Sequence, residues 1–458
     1  MCSDLELAAK KVLVIGAGIS GQAAVRALLS RGADVTVWDE KDHTEMAATL
    51  QDIADKITVV SPPAEVNVGD FKMLILSPGI RTGIHPVVTA LAAGIPVISE
   101  VELAYLIKDP RIEILAVTGT NGKTTTTTLL QEILTAAGQR SAAGGNIGTA
   151  LTAVVNQMGI DTAVAEISSF QLETIKTFRP HICGLLNITP DHLDRHKTME
   201  NYIKIKSRIF ENQRADDFAI LNYEDPIIAR ISRECRGQKI FFSVERELSS
   251  GAFIRDNKII IKLPDGESMV CSLDEIKLRG KHNLENILCA AGMAAVAGVE
   301  METIAAVLKT FKGVRHRMEE AATVSGVLYI NDSKGTNPES SVRAMESFKE
   351  PIILIAGGRN KGSSFDLLAR VIKEKVRALI LLGEAREDIK SAVMTSGFTN
   401  IYEVEDLPAA VKKAHQLARP GEIVLLSPAC ASWDMFDNYE QRGDLFCAEV
   451  QLLAGSRE

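Results

Sequence analysis

The chain has 458 residues, enough for roughly two to four domains of ordinary size. Apolar residues make up 46% and charged residues 24%, a globular balance with ample material for buried cores. A net charge of −8 argues against a nucleic-acid partner, which wants a basic face, and no uncharged apolar run approaches the ~20 residues of a membrane span.

The opening segment "MCSDLELAAKK" carries two acids and no apolar core, unlike a secretory leader. Seven cysteines (2, 183, 235, 271, 289, 430 and 447) are scattered without a C-x-x-C pair. That spacing suits reduced thiols rather than a disulfide framework or a zinc site, so a cytoplasmic protein is expected.

The first region reads as strand Lys11–Ile15, a glycine turn from Gly16 to Gly21, helix Gln22–Leu29 and strand Asp34–Trp38, ending at Asp39. Further strands are expected at 72–80 and 95–99. The turn "GAGISG" is a G-x-G-x-x-G loop between a strand and a helix, where a diphosphate can approach backbone amides at a positive helix end. Three readings stay open: a dinucleotide cofactor with Asp39 on its ribose, a nucleoside-diphosphate sugar, or a tight turn that only serves packing.

The second region opens with "IEILAVTGTNGKTTTTTLLQE", strand, glycine loop and helix. Gly122-Lys123-Thr124 ends it as a phosphate loop ends, but the first glycine is Gly119, whereas the strict pattern would put it at Val117. Amides of Thr118 to Thr124 would cradle phosphates, Lys123 would reach the outer oxygens, and the Thr124 hydroxyl would ligate Mg²⁺. Glu166 ends the apolar run "TAVAE" and is a candidate metal ligand, whereas Ser168 reads as a helix cap with Gln171 closing a capping box. His192 follows the next apolar segment. A zinc pair of His192 and His196 is discounted, because no glutamate of H-E-x-x-H and no third ligand accompany them. Lys206 has Tyr202, Ile203, Ile209 and Phe210 at helical spacing around it, an apolar stripe. Either burial pulls its proton off, leaving an amine able to take up CO₂ as a carbamate, or the side chain snorkels outward with its stem buried.

The third region follows "FKGVRHRMEE", with strands at 327–333, 351–358, 378–384 and 422–428 separated by helical patterns. Near-continuous apolar strands alternating with helices indicate α/β architecture, with sheets mostly parallel and buried on both faces.

Taken in order, "TGTNGKTTT", "GGNIG" (144–148), "EISSFQLE" (166–173), "NITPDHLDRH" (187–196), "RGKHNLENILCAA" (279–291), "VRHRME" (314–319) and "NDSKGTNP" (331–338) resemble the Mur ligase family, ATP-dependent amide ligases of peptidoglycan precursor synthesis. The shifted glycine is that family's form of the loop. The segment "LSPACASWDMFDNYEQRGDLF" (426–446) with "GGRNKG" (357–362) is similar to the branch that adds D-glutamate to UDP-N-acetylmuramoyl-L-alanine.

The resemblance implies three domains: 1–105, Rossmann-like and holding the UDP-sugar; 106–312, P-loop ATPase-like and holding ATP; and 313–458, Rossmann-like and holding D-glutamate. It implies Gly18, Ile19 and Ser20 on the UDP diphosphate, with Asp39 near the uridine. ATP would meet Thr118, Gly119, Thr120, Asn121, Gly122, Lys123, Thr124 and Thr125, with Asn146 near the γ-phosphate. Asn283 and Asn286 would meet adenine, and Arg317, Asp332 and Lys334 would close over the nucleotide. Thr336, Lys361, Ser432 and Tyr439 would take D-glutamate. Lys123, Glu166, His192 and Lys206 would carry catalysis, with Thr124, Glu166, His192 and carbamylated Lys206 ordering two Mg²⁺ ions. Only small-molecule partners, no nucleic acid or membrane, and a monomer are expected. An acyl phosphate has to be kept from water, so motion of the last domain about residues 310–315 is expected as well. A nicotinamide oxidoreductase would use the first loop and leave the second unexplained. A nucleotide-dependent scaffold would leave Glu166, His192 and Lys206 unexplained.

Overall fold

The computed structural model describes residues 7–40, 50–62, 66–278, 280–360 and 362–455. Lys361 and Cys2 lie outside the described residues.

The first sheet contains β1 (Lys11–Ile15), β2 (Asp34–Trp38), β3 (Ile57–Val60), β4 (Met73–Leu76) and β5 (Val97–Ser99) in the order β3-β2-β1-β4-β5. All its pairings are parallel. Val12 and Val14 point into one core with Val25 and Leu28, while Leu13 and Ile15 point into the other with Leu74 and Val87. That alternation on both faces is why β1 reads as a continuous apolar run. The first helix starts at Ile19 rather than at the expected Gln22, because Gly18 already takes the extended N-cap conformation. The strand expected over 72–80 stops at Leu76, where Ser77 and Pro78 turn the chain.

The second sheet contains β6 (Glu113–Thr118), β7 (Ser141–Gly145), β8 (Thr162–Glu166), β9 (Ile182–Leu185), β10 (Phe218–Asn222), β11 (Gln238–Ser243), β12 (Gly251–Arg255), β13 (Lys258–Leu263) and β14 (Gly266–Ser272). Their order is β14-β13-β12-β11-β10-β9-β6-β8-β7. Pairing is parallel from β7 to β12, then antiparallel through two hairpins. β6 lies between β8 and β9, so the phosphate loop leaves the sheet beside the C-terminal ends of both. Ligands of open α/β sheets sit at such ends. The first two sheets belong to one compact unit, with residues from about 282 to 311.

The second unit carries β15 (Glu319–Val324), β16 (Val327–Asn331), β17 (Ile352–Gly357), β18 (Val376–Leu382), β19 (Ile401–Glu403) and β20 (Ile423–Leu426), ordered β15-β16-β20-β17-β18-β19. Only the β15–β16 edge is antiparallel. Leu354 and Leu425 face one core of this sheet, and Ile353, Ile355 and Val424 face the other.

Candidate active site

The glycine loop between β1 and the first helix is built by close approach. A Cβ on Gly21 would stand 1.8 Å from the Gly16 carbonyl oxygen, and one on Gly16, at φ +97°, would meet the Ser77 Cβ at 2.8 Å. Gly18 has nothing within 4 Å of where a Cβ would be, so its backbone is open to a ligand. Ile19 is 70% exposed at the helix start, and Ser20 is half-buried beside it. The Ala17 N–H donates to Asp39 Oδ2 at 2.6 Å, so Asp39 braces the loop from the end of β2.

The second loop is held by the turn that follows β9. The Thr120 N–H donates to the Asn187 carbonyl, the Asn121 N–H donates to Asn187 Oδ1 at 2.9 Å, and the Thr118 hydroxyl donates to the Ile167 carbonyl at 2.7 Å. Gly122 adopts φ +84°, and a Cβ there would lie 2.0 Å from Asn286 Oδ1. Asn286 is therefore pressed on the loop itself, and its amide donates to Asn283 Oδ1 at 3.2 Å. The helix Lys123–Ala136 runs on from the loop with Thr124 and Thr125 buried in its first turn.

Lys123 Nζ donates to the carbonyls of Gly119 and Thr120, both at 2.9 Å. Lys206 Nζ donates to the same Gly119 carbonyl at 2.8 Å. Lys206 is 1% exposed, with Tyr202, Ile203, Ile209 and Phe210 all buried around it, whereas Lys204 on the same helix is exposed. The stripe thus carries this lysine inward. Burial drives its amine well below the ordinary lysine range, and the neighbouring Lys123 cation pushes the same way, while Asp191 and Glu166 oppose.

Glu166, at the end of β8, is 3% exposed. Its Oε1 accepts from the Asn146 amide at 2.9 Å, and its Oε2 is buried without a hydrogen-bond partner. A buried carboxylate oxygen without a donor is costly unless an ion or bound water meets it. His192 is half exposed, in the left-handed conformation at φ 52°, with its ring 4.8 Å from that of Phe170. His196 is buried instead: it is 1% exposed, packs on the same Phe170 ring at 5.5 Å and bonds the Ser169 hydroxyl at 2.9 Å. Ser168 does form the capping box with Gln171. Among the described residues no three His, Cys, Asp or Glu side chains converge tightly enough to hold an ion alone. The buried, donorless Glu166 Oε2 is nonetheless the kind of oxygen that suits Mg²⁺, a hard cation that completes its shell with water and substrate phosphates.

In the second unit Asp332 is buried, accepts from the Ser427 hydroxyl at 2.7 Å, and has its carboxyl pushed up to about 6 by burial, which the neighbouring Arg317 cation partly offsets. Lys334 Nζ lies 5.6 Å from the Tyr439 ring centre, and the Ser333 hydroxyl donates to the Tyr439 carbonyl at 2.8 Å. Thr336 is half-buried and Ser432 is buried. The sequence reading missed Arg442, which is 3% exposed and donates to the Ser333 carbonyl at 2.8 Å and to the Cys430 carbonyl at 3.3 Å. It thereby ties 332–334 to the segment that leads to Ser432 and Tyr439. Its lone positive charge within "NYEQRGDLF" was the available signal. Asp191 was missed too, although it directly precedes His192 and acts on Lys206.

A glycine-loop sheet, a phosphate-loop sheet and a third, mostly parallel sheet define the class. The chain matches the Mur ligase MurD-like N-terminal domain over residues 10–99, the Mur ligase middle domain over 117–294 and the Mur ligase glutamate ligase domain over 316–430. It belongs to the Mur ligase family. It is 49% identical to the UDP-N-acetylmuramoylalanine–D-glutamate ligase of Pelotomaculum thermopropionicum over 95% of this chain and 96% of that one. The enzyme of the same name from Caldanaerobacter subterraneus is 43% identical over 98% of this chain and all of its own. Among solved structures the fold is shared with the UDP-N-acetylmuramate–alanine ligase of Thermotoga maritima, with a TM-score of 0.60 at 19% identity over 97% of this chain and 99% of that one. It is shared also with MurF of Acinetobacter baumannii, with a TM-score of 0.59 at 18% identity over 98% and 93%.

Proposed function

We propose that this chain joins D-glutamate to UDP-N-acetylmuramoyl-L-alanine at the expense of ATP, forming ADP and phosphate. The observation that carries the chemistry is that Lys123 and Lys206 share one carbonyl of the phosphate loop, with the unpartnered Glu166 oxygen at the end of the strand beside it. The acceptor and the amino acid follow from the full-length relatives, which carry that activity in their names.

In this reading the Gly18–Ser20 loop holds the substrate diphosphate, with Asp39 bracing it. Thr118 to Thr125 receive ATP, with Asn146 beside the γ-phosphate and Asn283 and Asn286 bordering the nucleotide. Lys123 neutralises the γ-phosphoryl oxygens as the phosphoryl group passes to the alanine carboxylate, giving an acyl phosphate. The D-glutamate amine then attacks that carbonyl, the C–N bond forms, phosphate leaves and the amine proton goes to solvent. Thr124, Glu166, His192 and Lys206 would hold Mg²⁺, two ions in the full form of the proposal, which supply charge neutralisation at the phosphoryl oxygens. Lys206 joins as a carbamate: its neutral amine adds to CO₂, one proton goes to solvent, and an oxygen anion stands where a neutral amine was. Arg317, Asp332 and Lys334 complete the nucleotide contacts, and Thr336, Lys361, Ser432 and Tyr439 take the carboxylates of D-glutamate. The proposal assigns these roles to 1–105, 106–312 and 313–458, in a monomer working in the cytoplasm. Among the described residues no helix is long and apolar enough to cross a membrane.

Phosphate release from ATP with UDP-N-acetylmuramoyl-L-alanine is the test, comparing D-glutamate with L-glutamate, L-lysine and L-alanine. Release that requires D-glutamate supports the reading. Release with another amino acid overturns the assignment of 313–458, and no release in protein that binds ATP overturns the ligation itself.

A further inference from the structure

Arg195 lies between His192 and His196 and is 11% exposed. Its Nε and Nη2 donate to the two Glu173 oxygens at 3.0 and 2.7 Å. Its Nη1 donates to the Pro78 carbonyl at 2.9 Å, and Nη2 also donates to the Ile80 carbonyl at 2.8 Å. The guanidinium sits 4.0 Å from the Phe170 ring centre. Only a planar fork of donors can span a carboxylate, two carbonyls and an aromatic face at once, and a lysine ammonium cannot.

Those carbonyls belong to the turn after β4. The same turn supports the glycine loop, because the Ser77 hydroxyl donates to the Gly16 carbonyl at 2.9 Å and Ser77 fills the space beside Gly16. Glu173 and Phe170 belong to the segment that begins at Glu166. A short physical path therefore runs from the glycine loop through Ser77–Ile80 and Arg195 to the stretch that carries Glu166, and Arg195 is its cross-link.

We infer that Arg195 is a positioning residue, fixing the reach between the loop that holds the uridine diphosphate end of the substrate and the Lys123–Glu166–Lys206 cluster where its carboxylate reacts. The inference rests on the ligase reading above. Binding at a remote end accelerates chemistry only if the frame between the two ends is stiff. An error of about 1 Å in that frame can cost roughly 100-fold in rate.

The test uses the full chain with Arg195→Lys, Arg195→Leu and Glu173→Gln. Expected for both Arg195 variants is a kcat lower by roughly 10- to 100-fold. Glu173→Gln should lose less, while KM for the UDP substrate and Kd for ATP stay within about threefold in all three. Each end still binds, but joint placement fails. A purely structural contact would move the affinities and the melting temperature together with the rate. An unchanged kcat in folded variants, or a rate loss matched by lost affinity, overturns the inference. If Arg195→Leu does not fold, the other two decide, and if none folds the contact serves stability and the inference is overturned. An unsubstituted protein that shows no turnover fails the ligase reading instead, which is a separate result.

Discussion

Lys206 and Lys123 present their amines to one carbonyl oxygen, that of Gly119. Two full cations there would repel in a poorly solvated site, and burial with the Lys123 charge pushes the Lys206 amine well below the ordinary lysine range. Lys206→Ala should lower turnover by roughly 100-fold or more, as loss of a group ordering a metal does. Partial rescue by formate or acetate would identify the missing oxygen anion, and full activity in the variant would end the carbamate proposal. Glu100 shows the opposite charge in the same difficulty. It is fully buried, Oε1 accepts from the Thr152 N–H and hydroxyl at 2.5 and 2.7 Å, and Oε2 has no partner. Burial raises its carboxyl to about 7. A raised acid contributes stability that is complete below its unfolded value and is lost as pH rises through the folded one. Glu100→Gln should therefore gain on the natural protein by ~3 kcal/mol between pH 4 and pH 8, as read from denaturant midpoints. A stability difference independent of pH would show that Glu100 titrates alike in the folded and unfolded chain. The Lys206 stripe was legible in the sequence because helical spacing is local. Asp191 and Arg442 were not, because their partners come from other elements.

At the scale of elements, β1 and β2 run over the residues that the sequence pattern predicts, β1 as a continuous buried run and β2 by its alternation of buried Val35 and Val37 with half-buried neighbours. The hairpin β12–β13 was overlooked. Its turn, Asp256-Asn257, has both residues at positive φ, the conformation that lets a two-residue turn match strand twist. The phosphate loop offers a controlled comparison at this scale. Gly122 and Gly138 both have positive φ, but only Gly122 has Asn286 against it, and nothing lies within 4 Å of a Cβ on Gly138. Gly138→Ala should cost ~1–2 kcal/mol, the strain of a left-handed residue. Gly122→Ala should cost more and also weaken binding of an ATP analogue, measured by calorimetry. Equal effects of the two would mean that Asn286 yields freely.

On the scale of the whole molecule, the chain divides near Lys312 into two compact units, and the second has a six-stranded sheet with a core on each face. Limited proteolysis should cut near 310–315 and leave two resistant bodies. An ATP analogue, UDP-N-acetylmuramoyl-L-alanine and D-glutamate together should slow that cut, since chemistry through an acyl phosphate has to exclude water. Cleavage indifferent to ligands would count against motion there. What the sequence determined by itself was the strand–helix alternation of the three regions, the two glycine loops and the apolar stripe around Lys206. Each is written in spacing along a few turns of chain, and hydrophobic period and loop chemistry act over that range. Only the tertiary structure decided that Glu166 keeps a buried oxygen without a donor, that Asn286 rests on Gly122, and that Arg195 grips the Pro78 and Ile80 carbonyls more than a hundred residues away. Those contacts depend on which strand ends become neighbours in a sheet, and crossover connections settle that without leaving a local pattern to read.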